Sequence, residues 1–343
     1  MTTQTTLTAA TGLFHLPQSF ALRFGGELID GVLAFELSTD APSDAPVVLV
    51  QGGISSGRHV FGADADDESA PGWWNAIVGP GRAIDTTRHR VLGIDWLGGS
   101  GASTGPSTTT QRPFPAVTSH DQAAATALLL DHLRIERLHA FVGASYGAMV
   151  GLAFASRFGS RVERLVAISG AHRPDPSSTA WRALQRDVVE LGVRVGAPRE
   201  AASIARGIAM TTYRGRAEFA QRFATAPNAI VDGRARFPVE AYLQARGARF
   251  ADGVDPASFV TLSQAIDLHD VDPTTIEVAT TVVAVDSDRL VPFDQSQELF
   301  AGLAGAKRFV TLSSPFGHDA FLTEPEAIGA LLRHDLGAGK VTR

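Results

Sequence analysis

The chain has no cysteine. That excludes disulfides, thiolate zinc sites and a cysteine nucleophile, and with them the small secreted disulfide scaffold. No apolar run approaches the ~18 residues that a membrane-spanning helix needs. No basic leader precedes an apolar stretch: Phe14, Leu16 and Phe20 are interrupted by His15, Pro17, Gln18 and Ser19, so no signal peptide is expected. Charge of one sign is not concentrated anywhere. The formal net charge is -6, with acids and bases well mixed, and no basic stripe marks a nucleic-acid or membrane surface. No repeat recurs at solenoid or propeller periods. No metal site is expected. What is present is an ordinary globular composition, 44% hydrophobic and 19% charged, compatible with the cytoplasm. A chain of 343 residues is long enough to bury a core without disulfides or metals.

Short apolar runs punctuate the sequence. They are Val47–Val50, Arg90–Asp95, His139–Val142, Leu165–Ile168, Thr280–Val285 and Phe309–Leu312. Each is closed by turn residues, as strands covered on both faces of a parallel sheet are. Helical patterns lie between them, at Gln122–Leu133, Gly147–Phe158 and Pro325–Leu332. Strand-then-helix alternation implies βαβ units and a mostly parallel sheet. The rhythm breaks between about residues 175 and 277. That stretch offers helical candidates at Trp181–Leu191, Glu200–Met210 and Arg216–Phe223, and a basic one at Arg234–Phe250. We read residues 1–174 and 278–343 as two parts of one α/β core, and 175–277 as a helical cap inserted between core strands. Loops at the carboxyl edge of such a sheet are where ligands bind.

The strongest motif is Gly143-Ala-Ser-Tyr-Gly147, which follows a strand and opens a helix. That is the setting of a nucleophile elbow and points to the α/β-hydrolase fold. Ser145 would project its hydroxyl above the sheet at a helix amino end, where developing negative charge is favoured. A serine hydroxyl needs a base. In this fold the acid and then the histidine follow the serine along the chain. His318, in the loop after the last predicted strand, is the candidate base, while His334 falls at a helix end; His59, His120 and His172 could line the site but read rather as structural or surface histidines. The acid should follow the strand before His318. Asp288 lies clear of that strand and is preferred; Asp286 competes for the role, or else braces the loop. An oxyanion hole needs two backbone N–H donors, and Tyr146 and Gly53 are the candidates.

Taken together and in order, several segments resemble the homoserine O-acyltransferases of the α/β-hydrolase superfamily. They are the Gly-rich loop Leu97–Pro106, the elbow Gly143–Met149, Tyr213-Arg214 followed by Glu218-Phe219, Asp288–Pro292 and Gly317-His-Asp319. Tyr146 stands where the family usually has Met, Ala148 where it has Gly, and Val150 where it has Gln. Gly52-Gly-Ile-Ser55 and Gly143-Ala-Ser-Tyr146 look closer to the branch that uses succinyl-CoA. The resemblance implies a ping-pong transfer from an acyl-CoA co-substrate to the hydroxyl of L-homoserine, a step of methionine biosynthesis. It implies no bound cofactor and a homodimer. It maps homoserine binding to Arg214 and Asp319: a guanidinium can grip the carboxylate, and a carboxylate the ammonium. A succinyl donor needs a further cation, for which Arg58 is the candidate. An acetyl donor, a serine acceptor, or a plain esterase on the same scaffold are the alternatives, because fold alone does not fix function.

Overall fold

The apolar runs pair into one eight-stranded sheet. Its strands in chain order are β1 (Ala9–His15), β2 (Val32–Ser38), β3 (Val47–Gln51), β4 (Arg90–Ile94), β5 (Ala140–Ala144), β6 (Arg164–Ile168), β7 (Ala279–Val285) and β8 (Lys307–Leu312). Across the sheet the order is β1-β2-β4-β3-β5-β6-β7-β8. β2 runs antiparallel to β1 and β4, and the remaining pairs are parallel. This α/β-hydrolase architecture comes from a computed structural model that describes residues 9–62 and 72–337. Residues 1–8 of the segment weighed as a leader lie outside that range. Among the described residues no helix is long and apolar enough to cross a membrane.

Every residue of β3 and β5 is buried. Successive side chains point to opposite faces, and both faces are covered. Leu49, Phe141 and Leu165 join one apolar cluster with Leu129, Leu130 and Phe154. Their neighbours Val48, Val142 and Val166 join a second with Ile328, Leu331 and Leu332. The first cluster is built by helices α1 (Ser119–His132) and α2 (Tyr146–Phe158). Strands β1 and β2 did not stand out in the sequence. β1 is a sheet edge whose residues are exposed or half-buried, so it carries no continuous apolar run.

Between β6 and β7 the chain runs through α3 (Pro176–Arg194), α4 (Pro198–Tyr213), α5 (Arg216–Arg222), α6 (Pro238–Ala251) and α7 (Pro256–Asp267). α3 packs on α4, and α4 on α6. One helical expectation is corrected here. Arg234–Arg236, the start of the predicted helix 234–250, is a strand paired with Ala229–Val231. The turn between them is Asp232-Gly233, with φ of 48° and 74°. Asp-Gly supplies the positive φ at both positions that a tight hairpin requires. The helix begins only at Pro238, a residue suited to a first helical position. α7 was not anticipated, although its start is well marked: Asp255 accepts from the Ser258 N–H at 2.8 Å, and Pro256 follows it. After β7 come α8 (Phe293–Gly302), the single turn α9 (Ala320–Thr323) and α10 (Pro325–Gly337).

Candidate active site

The elbow between β5 and α2 is built by close backbone approach. A β-carbon on Gly143 would lie 2.3 Å from the Gly147 carbonyl oxygen, and one on Gly147 would lie 2.2 Å from that of Gln51. Only glycine fits at either position. The Ser145 N–H donates to the Ile168 carbonyl at 2.8 Å, and the Gly147 N–H to that of Gly52 at 2.8 Å. These bonds clip the turn to β6 and to the loop after β3. Ser145 is left at φ 55°, a costly conformation for a residue with a side chain, with its hydroxyl at the mouth of α2.

Three side chains form one hydrogen-bonded series. His318 Nε2 lies 2.7 Å from Ser145 Oγ. His318 Nδ1 lies 2.8 Å from Asp288 Oδ2. The other oxygen of Asp288 accepts from the Leu290 N–H at 2.8 Å and the Val291 N–H at 3.1 Å. The carboxylate is thereby fixed and its side chain almost wholly buried. Asp286 takes a different place: it accepts from the Ser314 N–H at 3.3 Å and braces the loop that carries His318. Burial pulls the His318 imidazole down, but the charge and hydrogen bond of Asp288 outweigh it. The net pKa lies above the ordinary histidine value. Such a chain can move the serine proton to imidazole while the carboxylate holds the tautomer.

Two backbone N–H groups flank the hydroxyl. Tyr146 is the first residue of α2, so its N–H has no partner within the helix. Gly53 stands opposite; a β-carbon on it would lie 3.9 Å from Ser145 Oγ. The Trp96 indole donates to the Gly53 carbonyl at 3.0 Å and fixes that peptide. The ring of Tyr146 packs edge-on against Trp96 with centroids 4.9 Å apart. Burial pushes its hydroxyl pKa upward, so the phenol stays neutral.

Above Ser145 is a cavity of about 110 Å³. Gly53, Ser145 and His318 line it from the core, and Arg182, Arg206 and Phe259 from α3, α4 and α7. Asp319 lines it as well. Asp319 sits at the amino end of α9 but makes no side-chain cap bond there. Instead its Oδ2 lies 3.1 Å from Arg214 Nε. Burial raises the Asp319 carboxyl above its usual range against the pull of Arg214 and Arg206. Arg214 is itself buried and stands behind Asp319, with its guanidinium 5.5 Å from the Phe316 ring.

Arg58 is not in this cavity. Its guanidinium pairs with Asp95, and its N–H donates to Asp95 Oδ1 at 2.7 Å. That pairing draws it into a neighbouring, larger cavity. Of the arginines that do line the cavity above Ser145, Arg173, Arg182 and Arg206, Arg182 is the buried one, and the sequence did not reveal it. Arg182 Nε donates to Asp267 Oδ1 at 2.7 Å, and Arg186 Nη1 to Asp267 Oδ2 at 2.6 Å. Two guanidiniums share one carboxylate, leaving net positive charge beside the cavity. The shared acid lies 85 positions further along the chain, so no local signal could have marked it. His120 bonds the Asp270 carbonyl at 2.8 Å, His59 pairs with Glu36 and His334 with Asp335; none of these, nor His172, lines the cavity above Ser145.

The sequence pattern of the alpha/beta hydrolase fold matches residues 45–325. A homoserine O-succinyltransferase from Xanthomonas campestris pv. campestris is 46% identical over 288 residues, covering 84% of this chain and 74% of its own length. A homoserine O-acetyltransferase from Thermobifida fusca is 36% identical over 347 residues, covering 93% and 92%. A serine O-succinyltransferase from Frateuria aurantia is 34% identical over 360 residues, covering 93% and 97%. Among solved structures, the homoserine O-acetyltransferase from Bacillus anthracis superposes with a TM-score of 0.86 at 20% identity, over 97% of this chain and 99% of that one. Esterase E22 does so with 0.86 at 24%, over 96% and 100%. At that identity the two structures speak for the fold alone. By sequence and by fold, the chain belongs to the homoserine O-acyltransferase family of the α/β-hydrolase superfamily.

Proposed function

We propose that this protein transfers a succinyl group from succinyl-CoA to the hydroxyl of L-homoserine, through an ester on Ser145. The observation that carries the reading is the company Ser145 keeps: a buried carboxylate, Asp319, and a buried cation, Arg182, share its small cavity. An esterase of simple esters needs neither. The 46% identity to a homoserine O-succinyltransferase supports the same donor.

In the first half-reaction His318 Nε2 takes the Ser145 proton as Oγ attacks the thioester carbonyl. The N–H groups of Gly53 and Tyr146 receive the oxyanion. The C–S bond breaks, and imidazolium returns the proton to the leaving thiolate, releasing CoA. In the second half-reaction His318 deprotonates the homoserine hydroxyl, which attacks the acyl-serine. The ester to Oγ breaks, and the proton returns to Ser145. Asp319 holds the homoserine ammonium; Arg214, expected from the sequence to grip the substrate carboxylate, stands behind Asp319 outside the cavity wall and positions that side chain instead. Arg182 takes over the role first given to Arg58 and pairs with the distal carboxylate of the succinyl group. The cap formed by residues 175–277 keeps water from the acyl-enzyme.

CoA release, followed with succinyl-CoA or acetyl-CoA and with homoserine or serine, tests this directly. Release should require homoserine and be fastest with succinyl-CoA. Brisk cleavage of a simple aryl ester with no homoserine-dependent CoA release would make the protein a hydrolase instead.

A further inference from the structure

The loop that carries His318 runs from β8 to α9 and is held from two sides. On the core side Ser287, the neighbour of Asp288, bridges it. Its hydroxyl donates to the Ser314 carbonyl and accepts from the Gly317 N–H at 3.1 Å. Ser314 Oγ in turn donates to Glu324 Oε1 at 2.7 Å. On the other side lies the cap. α4 ends at Tyr213 and α5 begins at Arg216, and the chain between them runs along the loop. The Gly215 N–H donates to the Pro315 carbonyl at 3.1 Å. Arg214 reaches Asp319 and lies over the Phe316 ring. Gly317 has φ 58°, and a β-carbon on it would lie 2.7 Å from the Tyr213 carbonyl oxygen. The Tyr213 ring packs on the His318 ring with centroids 5.8 Å apart. Each residue from Pro315 to Asp319 therefore meets one of three consecutive cap residues. The end of α4 is also tied to the acid loop: Arg289, beside Asp288, donates to the Thr211 carbonyl at 3.2 Å.

The His318 imidazole is hydrogen-bonded through both nitrogens. Two such bonds leave a ring able to tilt about the line that joins them. Tyr213, at an interplanar angle of 40°, and Phe321, at 86°, flank the ring and limit that tilt. Displacing a catalytic group by about 1 Å costs on the order of a hundredfold in rate.

We propose that Tyr213 and Gly215 are positioning residues for the catalytic base. The strap Tyr213–Gly215 holds the loop against Ser287 and keeps the imidazole in line with Ser145 and Asp288. This rests on the reading of Ser145 and His318 as nucleophile and base. It gives the cap a part in assembling the triad as well as in covering it.

A fluorophosphonate tests the strap without donor or acceptor, because it phosphonylates a serine that its histidine activates. In Gly215→Ala the added β-carbon would strike the Pro315 carbonyl oxygen. Alanine tolerates the φ of -68° and ψ of 152° found there, so the contact alone is perturbed. Inactivation should slow about tenfold or more in Gly215→Ala and in Tyr213→Leu. Tyr213→Phe keeps the ring and should recover most of the rate. In proton NMR the downfield resonance of His318 Nδ1–H, bonded to Asp288, should shift in the two slow variants, while their circular dichroism spectra stay native. Wild-type inactivation rates in both variants overturn the assignment. So does a slower rate with an unshifted resonance, or one that comes only with loss of the native circular dichroism spectrum. Slow phosphonylation of the variants, in a protein without homoserine-dependent CoA release, keeps the strap and removes the acyl-transfer reading. Wild-type phosphonylation rates in the variants, with homoserine-dependent CoA release intact, do the reverse.

Discussion

At Ser145 a strained backbone, a bonded imidazole and a fixed carboxylate meet, and each predicts a separate effect. The raised pKa of His318 places its protonation above the ordinary histidine range. A general base works only when neutral, so kcat/KM should fall on acidification with an inflection above that of a free histidine. Asp288→Asn removes the charge that lifts the imidazole. It should lower kcat by on the order of 10²–10⁴ and move the inflection to lower pH. Asp286→Asn should leave the inflection where it is, and a pH–rate profile of the three proteins decides between the two acids. Arg182→Met should raise KM for succinyl-CoA by about tenfold or more and leave KM for acetyl-CoA within about twofold, because only one donor carries a distal carboxylate. Equal losses for both donors would reduce Arg182 to a structural role. Much of this site was legible in the sequence. The elbow motif marked Ser145, and chain order marked His318 and narrowed the acid to two neighbours. Arg182 and Arg206 were not legible, because an arginine on an amphipathic helix looks the same whether it faces water or a cavity. Arg58 misled for the opposite reason: it is near Gly53 in sequence, but its pairing with Asp95 keeps it in the neighbouring cavity.

Among the elements, the parallel strands were the easiest to read. β3 and β5 are buried on both faces and so carry unbroken apolar runs. β1 and β2 needed long-range pairing to define them, and the Asp232-Gly233 hairpin was absorbed into a predicted helix because its arms are short and polar. α7 shows how a local signal can be overlooked. Its start combines Asp255 as cap with Pro256 as first residue, and it delivers Phe259, Ser263 and Ile266 to the serine cavity. The Asp255 side chain accepts from both the N–H and the hydroxyl of Ser258, each at 2.8 Å. Asp255→Ala should therefore cost about 1 kcal/mol of stability in urea unfolding. A loss below about 0.3 kcal/mol would mean that α7 is held by packing and not by its cap.

For the molecule as a whole, a buried histidine adds to the sensitivity to acid. His269 is completely buried, with Nδ1 2.6 Å from Ser119 Oγ. Burial, and then the proximity of His120, push its pKa from 6.5 down to about 3. The folded state holds this ring neutral, whereas the unfolded chain protonates it near the ordinary value. Its stability contribution is therefore intact above pH 6.5 and is lost as pH falls towards 3, by about 1.4 kcal/mol per pH unit. Between neutrality and pH 5 the folded protein should lose about 2 kcal/mol from this residue alone. His269→Gln should shrink that difference, as urea unfolding at the two pH values will show; an unchanged difference would place the acid sensitivity elsewhere. Between the two proposed half-reactions the whole molecule carries a succinyl ester on Ser145. Intact-protein mass spectrometry after mixing with succinyl-CoA should show one succinyl group on the wild type and none on Ser145→Ala, and a chase with L-homoserine should discharge it. A wild type that gains no adduct, an adduct that persists in Ser145→Ala, or an adduct that water removes as fast as homoserine does would contradict it.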